Sequence, residues 1–357
     1  MKKIILLSMA LCLSFTFNAQ TLDNLKITSK KYGLSKMKKA QKKVYINSFN
    51  VNFEIYKEAI DFKAGGNGGR IGGNTSSATA KAAVGLSGVD ANKMQAKTNK
   101  LFENFKQRLK SEGYEIISAD VAGKAKSLEK WNKATGPFMK ENIPGVITCA
   151  PENYAFYYKK KGALGLGGLG IQAKLSKELG DVIIADVNLN VMFSESGNDW
   201  MKGRAAKVKI KTNLRLVNDY VITVPQKLKK KKSTLGKLFG SVKIKGAVDT
   251  YPINSMISFS YGKAGLGSQT QFNGTLKDDA EISGVMKKEK IVAYQKQGSF
   301  TPTSFTSFSN YLDAKEDRFS KNAKWITVDS DAFANGFYIA CNTFMDKQLN
   351  AFFSKIK

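Results

Sequence analysis

Two neighbouring stretches constrain the fold more than any other part of the chain, because their side chains alternate with the period of a β-strand. They are "DVIIADVNLNVMF" and "AKVKIKTNLRLV", joined by the polar turn "SESGNDWMKGR". In the second, Val208, Ile210, Leu214 and Leu216 alternate with Lys207, Lys209, Lys211 and Arg215. Successive strand residues face opposite sides, so one side meets a core and the other carries cations spaced by about 7 Å. In the first stretch Asn188 and Asn190 alternate with Val187, Leu189 and Val191, which extends the polar row. The pair predicts an antiparallel hairpin with one wet, cationic face.

Around this hairpin the pattern alternates between helix and strand. "KVYINSFNVNFEIYKEA" reads as a long strand. Met94, Leu101, Phe102, Phe105 and Leu109 recur at helical spacing, with Gly113 as the stop. "YEIISAD" reads as a short strand, "SLEKWNKATGPFMKE" as a helix broken near Pro137, and a short helix through Leu175 and Leu179 ends at Gly180. Later segments "SVKIKG", "MISFSYG" and "KIVAYQK" read as further strands. Phe333, Phe337, Cys341, Phe344, Leu349 and Phe352 then mark an amphipathic C-terminal helix docked on the body.

These readings divide the chain into a leader over 1–19, a basic arm over 20–43 and an α/β domain over 44–225 with a glycine-rich insertion at 63–88. A basic loop follows over 226–240, then a β-rich region over 241–330 and the final helix over 331–357. The expected class is α+β: a sandwich-type domain with a predominantly antiparallel sheet, a β-rich region and a C-terminal helix. The insertion, rich in glycine and small residues, is expected to form a loop or loose hairpin outside the core.

The first residues, "MKKIILLSMALCLSFTFNAQ", have a basic start, a short apolar run and a small residue at the break. That is the pattern of a secretory signal peptide cut after Ala19, which implies export to the periplasm or outer membrane of a bacterium. Leu11 precedes Cys12 where a lipidation signal wants a small residue. The formal charge is +28, or +26 without Lys2 and Lys3. Such a surplus favours anionic partners, namely lipopolysaccharide, lipid head groups or a surface glycan, with an envelope protein as the other expected partner. Lys207, Lys209, Lys211 and Arg215, with Lys229, Lys230, Lys231 and Lys232 in the basic loop, are the contact candidates. Nucleic acid suits them poorly, since no aromatic stacking residues interleave with the basic strand and export makes that substrate scarce.

Catalysis finds little support in the sequence. There is no histidine, which excludes Ser-His-Asp and Cys-His arrangements and histidine zinc sites. The acid pairs Asp278-Asp279 and Glu316-Asp317 diverge on either kind of element and read as solvated surface. Gly165, Gly167 and Gly170 spell G-x-G-x-x-G, with Asp186 after the next apolar run. The charged "YYKKK" before them and the short helix after them argue against a dinucleotide fold, so no cofactor is expected. Cys149 and Cys341 remain after the leader; an oxidising compartment permits a disulfide, and two buried thiols are the other reading.

The order strand, helix, strand, short helix, strand, strand, with the wording "LKSEGYEIIS", "LSKELGDVIIADVNLNV" and "IKTNLRLV", resembles the α/β domain of the curli-secretion channel family. It is also similar to the amino-terminal domains of TolB-type envelope proteins. The resemblance covers roughly residues 44–217. It implies an exported domain that binds and assembles without catalysis, or else an oligomeric outer-membrane secretion channel. Two features depart from the channel family: no convincing lipidation signal, and a turn after Phe193 too short and polar to enter a membrane barrel.

Overall fold

The computed structural model describes residues 22, 25–63, 65, 76–158, 171–197, 205–225, 248–262, 270–296 and 323–357. Strand β1 (Ile27–Tyr32) and the one-turn helix α1 (Leu34–Met37) precede β2 (Lys43–Glu54), β3 (Tyr56–Lys63) and β4 (Ala78–Ser87). Helix α2 (Ala91–Ser111) leads to β5 (Glu115–Ile116), α3 (Ala119–Ala122) and a 3-10 turn over 126–128. Then come β6 (Asn132–Thr135), β7 (Phe138–Ile143), β8 (Val146–Ala150), β9 (Ala155–Tyr158) and α4 (Gln172–Glu178). The second half holds β10 (Ile183–Gly197), β11 (Ala205–Leu216), β12 (Tyr220–Pro225), β13 (Val248–Ile253) and β14 (Met256–Tyr261). It ends with β15 (Thr270–Leu276), β16 (Ala280–Glu281), β17 (Glu289–Lys296), β18 (Lys324–Thr327) and α5 (Ser330–Ile356). The class is mixed, with strand outweighing helix and most strand pairs antiparallel.

Strand β2 lies parallel to β10, with Val44 opposite Ile183 and Phe53 opposite Val191. Every other strand of the main sheet joins this pair directly or through intervening strands. The lower half of β10 bonds β14, and its upper half bonds β11 as the antiparallel hairpin that the alternation predicts. β15 and β1 extend the sheet beyond β14, so strands from both halves of the chain share one sheet. Beyond Ile55 the chain leaves this sheet as β3, which pairs with β4, and β4 pairs on its other side with β18 in a second, smaller sheet.

Period two places Phe49, Val51 and Phe53 of β2, and Val187, Leu189 and Val191 of β10, on one face. Helices α2 and α5 cover that face. Phe49 meets Phe102 edge-on at 5.1 Å between ring centroids, and Phe53 meets Phe337 at 4.6 Å. Phe352 stacks on Phe259 at 3.8 Å and meets Phe272 edge-on at 5.4 Å. Asp90 caps α2 by accepting from the Lys93 amide, and Asp329 caps α5 by accepting from the Ala332 amide. Each satisfies an amide that has no partner within its helix.

Three expectations need correction. Residues 27–32, within the supposed arm, form a strand because their backbone finds β15 at the sheet edge, from Ile27 opposite Leu276 to Tyr32 opposite Gln271. The glycine-rich insertion contributes β4, whose Ala78, Ala80, Ala82, Val84 and Leu86 are buried in the main core. Their small side chains let β4 lie close to β11, whereas the sequence reading equated small residues with a loop. The stretch around Gly136-Pro137 makes two strands in place of a broken helix, since pairing of β6 with β9 and of β7 with β8 outweighs local helical spacing.

Phe352 touches the sheet at two rings, so Phe352→Ala should cost about 3–5 kcal/mol in urea unfolding of the mature chain. A loss below about 1 kcal/mol would show that α5 is not part of the core.

Candidate functional site

The basic strand keeps only part of its expected face. Lys211 is exposed and Lys207 and Lys209 are half-buried on β11. Across the pairing with β17, Lys207 stands opposite Tyr294, Lys209 opposite Val292 and Lys211 opposite Lys290. Directly paired residues share a face, so three lysines of β11, a fourth from β17, an exposed tyrosine and an exposed valine form one patch. Tyr294 is an aromatic that the reading of β11 alone could not place there, because only the register with β17 supplies it.

Arg215 departs from the expectation of an exposed contact. It is 5% exposed, with Nη1 bonded to Asp279 Oδ2 at 2.5 Å and to Glu195 Oε1 at 2.9 Å. Nη2 donates to the Ser194 carbonyl, and the Tyr220 ring lies 5.7 Å from the guanidinium. Alternation gives the correct side of β11 but not what covers it. The β12–β13 hairpin roofs this end of the sheet through Met192, Val217 and Ile222. Asn188 and Asn190 likewise do not extend a wet row: both donate to the Asn254 carbonyl and accept from Asn52. Lys229, Lys230, Lys231 and Lys232 lie outside the described residues, as do Gly165, Gly167, Gly170 and the acids Glu316 and Asp317.

Asp186 is committed to the fold. A register shift between Ala185 and Asp186 leaves Asn47 as an extra residue on β2. Such a bulge turns two consecutive side chains to one side. Asn47 Nδ2 and Ser48 Oγ both donate to Asp186 Oδ1, at 2.7 and 2.6 Å, while Gln172 Nε2 of α4 reaches Oδ2 at 3.2 Å. Burial pushes this carboxyl above its ordinary value, and the three donors pull it partly back. The residue itself is half-buried, with the carboxyl head the enclosed part. Before the glycine segment, β9 is paired with β6 in a small separate sheet, far from the buried parallel strand of a dinucleotide fold. Cys149 and Cys341 are both buried and unbonded, the second of the two readings. Burial raises both thiols and keeps them protonated.

A cluster of buried ionisable groups sits in the run that strand periodicity marks. Glu54 and Lys57 are 1% and 2% exposed, and Glu58 is 6% exposed. Glu54 Oε2 accepts from the Ser194 amide at 2.9 Å, and Oε1 has no hydrogen-bond partner. Lys57 Nζ donates to the Thr223 carbonyl at 2.9 Å and to its hydroxyl at 3.2 Å. Glu58 accepts from Tyr56 Oη at 2.9 Å. A cleft lined by these residues, by Pro144 and by β12 from Ile222 to Pro225 opens beside them. Burial drives Glu54 upward and Lys57 downward, each toward its neutral form, and each charge partly restrains the other. The signal was present: three ionisable residues among Phe53, Ile55, Tyr56 and Ala59, in a run otherwise fit for a core.

Comparison of the chain with known protein families, with curated proteins and with solved structures found no match.

Glu54 binds its proton more tightly in the folded state than at its ordinary value of 4.5. Its contribution is therefore present below that value and lost as pH rises through the higher folded value. Urea unfolding at a series of pH values should show the native chain losing stability relative to Glu54→Gln above about pH 4.5. A difference that stays flat, or grows in the native chain's favour, contradicts the assignment.

Proposed function

We propose that the protein is an exported binding and assembly protein of the bacterial cell envelope that acts without catalysis. In this reading its α/β sandwich-type domain is a scaffold that holds a basic surface against an anionic envelope component. The observation that supports it is the register of β11 with β17. That register gathers Lys207, Lys209, Lys211 and Lys290 around the exposed Val292 and Tyr294 on one face. Ammonium groups attract phosphate or carboxylate, and an amphipathic ring suits the boundary between head groups and apolar chains. Lipopolysaccharide or anionic lipid offers both features, and an acidic glycan or protein offers the first. No helix among the described residues is long and apolar enough to cross a membrane. The leader reading, with cleavage after Ala19, supplies the periplasmic or outer-membrane address.

Each lysine near an anionic surface adds about 1 kcal/mol of attraction. Lys209→Glu together with Lys211→Glu should thus weaken co-sedimentation with vesicles of anionic lipid by about thirtyfold or more. Binding by the native chain should also fall as salt shortens the screening length. Unchanged binding by the double variant, or binding indifferent to salt, would overturn the proposal.

A further inference from the structure

The face of the main sheet turned away from α2 and α5 carries polar groups that neither the fold nor the basic strand uses. Cross-strand partners share a face, so the register sets Lys30, Asn273 and Ser258 in one row and Tyr32, Gln271 and Ser260 in the next. Across β10 the same face continues through Asn188 to Asn50 of β2. Strands β14 and β15 contain no charged residue, in a chain that is 24% charged. Asparagine is depleted in strands, because its amide competes with the ladder for backbone partners. Yet Asn50, Asn52, Asn188, Asn190 and Asn273 all sit on this face. Departures from local propensity concentrate where a site is built.

Asn52, Asn188 and Asn190 engage one another and the Asn254 carbonyl. Asn50, Ser258, Gln271 and Asn273 differ: among the described residues their side chains find no hydrogen-bond partner. Of their polar atoms Asn273 Oδ1 is enclosed, and the others reach the surface. The short serines make a low floor, with Ser258 5% exposed, and Tyr32, 59% exposed, stands at the outer edge opposite Gln271. From β1 to β2 the face crosses β15, β14 and β10, a width of about 19 Å.

We infer that this face binds a neutral oligosaccharide, with sugar hydroxyls bonded to Asn50, Ser258, Gln271 and the Asn273 Nδ2 group and one pyranose ring laid on Tyr32. Carboxamides and serine hydroxyls together donate and accept, as each sugar hydroxyl does, so the pairing closes without a charge on either side. The tyrosine ring offers an apolar surface to the C–H face of a pyranose while its hydroxyl stays wet. An anionic polymer would find no cation on β14 or β15 and is better served by β11. The width of the face calls for several linked sugars and not for one. None of the lysines of β11 takes part, so this inference does not depend on the envelope reading.

Calorimetric titration of the folded mature chain with maltohexaose, cellohexaose and chitohexaose tests it. At least one should bind saturably, with an affinity that holds between low and high salt because no charge takes part. Tyr32→Ala should weaken that binding about tenfold, and Gln271→Ala about fivefold or more. Tyr32 is exposed and the Gln271 side chain bonds nothing in the fold, so both variants should unfold near the temperature of the native chain. Lys209→Glu with Lys211→Glu should leave saccharide binding unchanged, which keeps this result separate from that of the basic face. Failure of all three saccharides to bind, binding that both Tyr32→Ala and Gln271→Ala leave intact, or binding that falls steeply with salt would overturn the inference.

Discussion

The parallel contact between β2 and β10 is the constraint on which the rest of the structure depends. Two stretches more than a hundred residues apart in sequence meet along nine register positions, from Val44 with Ile183 to Phe53 with Val191. Closing so long a loop costs entropy before any contact repays it. What repays it is an apolar face, made by Phe49, Phe53, Val187, Leu189 and their neighbours, that α2 and α5 can cover. The first strand and the last helix then become consequences of the pair. Gln348 of α5 donates to the carbonyls of Thr28 and Thr275, tying the last helix to the first strand and to β15.

The opposite face of the same pair explains where polar chemistry collects. It is roofed at one end by Leu175, Leu128 and Ala122 packed on Tyr45 and Ile184, and at the other by the β12–β13 hairpin. Between the roofs run the amides of Asn52, Asn188 and Asn190, which satisfy one another and the Asn254 carbonyl. At each margin one carboxylate is drawn inside. Asp186 receives three donors and is a structural acid. Glu54 receives the Ser194 amide on Oε2, and its burial raises the carboxyl above its ordinary value.

Much of this framework was legible in the sequence, and the reasons are local. The β10–β11 hairpin, α2 with its Gly113 stop, α4 with its Gly180 stop and the final helix each carry their own period. What could not be read depends on partners distant in sequence. β1 is a strand only because β15 offers an edge, and β4 belongs to the core only because alanines fit against β11. The fate of Arg215 turned on Tyr220 and Asp279, which no alternation along β11 can reveal. Tyr294 joined the lysines through register across strands. The buried charges at Glu54, Lys57 and Glu58 were visible as charges in an apolar run, but strand periodicity gave no sign that the chain changes sheets at Ile55.

Amide hydrogen exchange tests the central claim most directly. If the β2–β10 pair organises the fold, amides from 44–53 and 184–191 exchange only through global unfolding, while those of the β12–β13 and β6–β9 pairs open earlier. Exchange in β2 and β10 as fast as in those small hairpins would contradict the claim and would place the organising contact elsewhere.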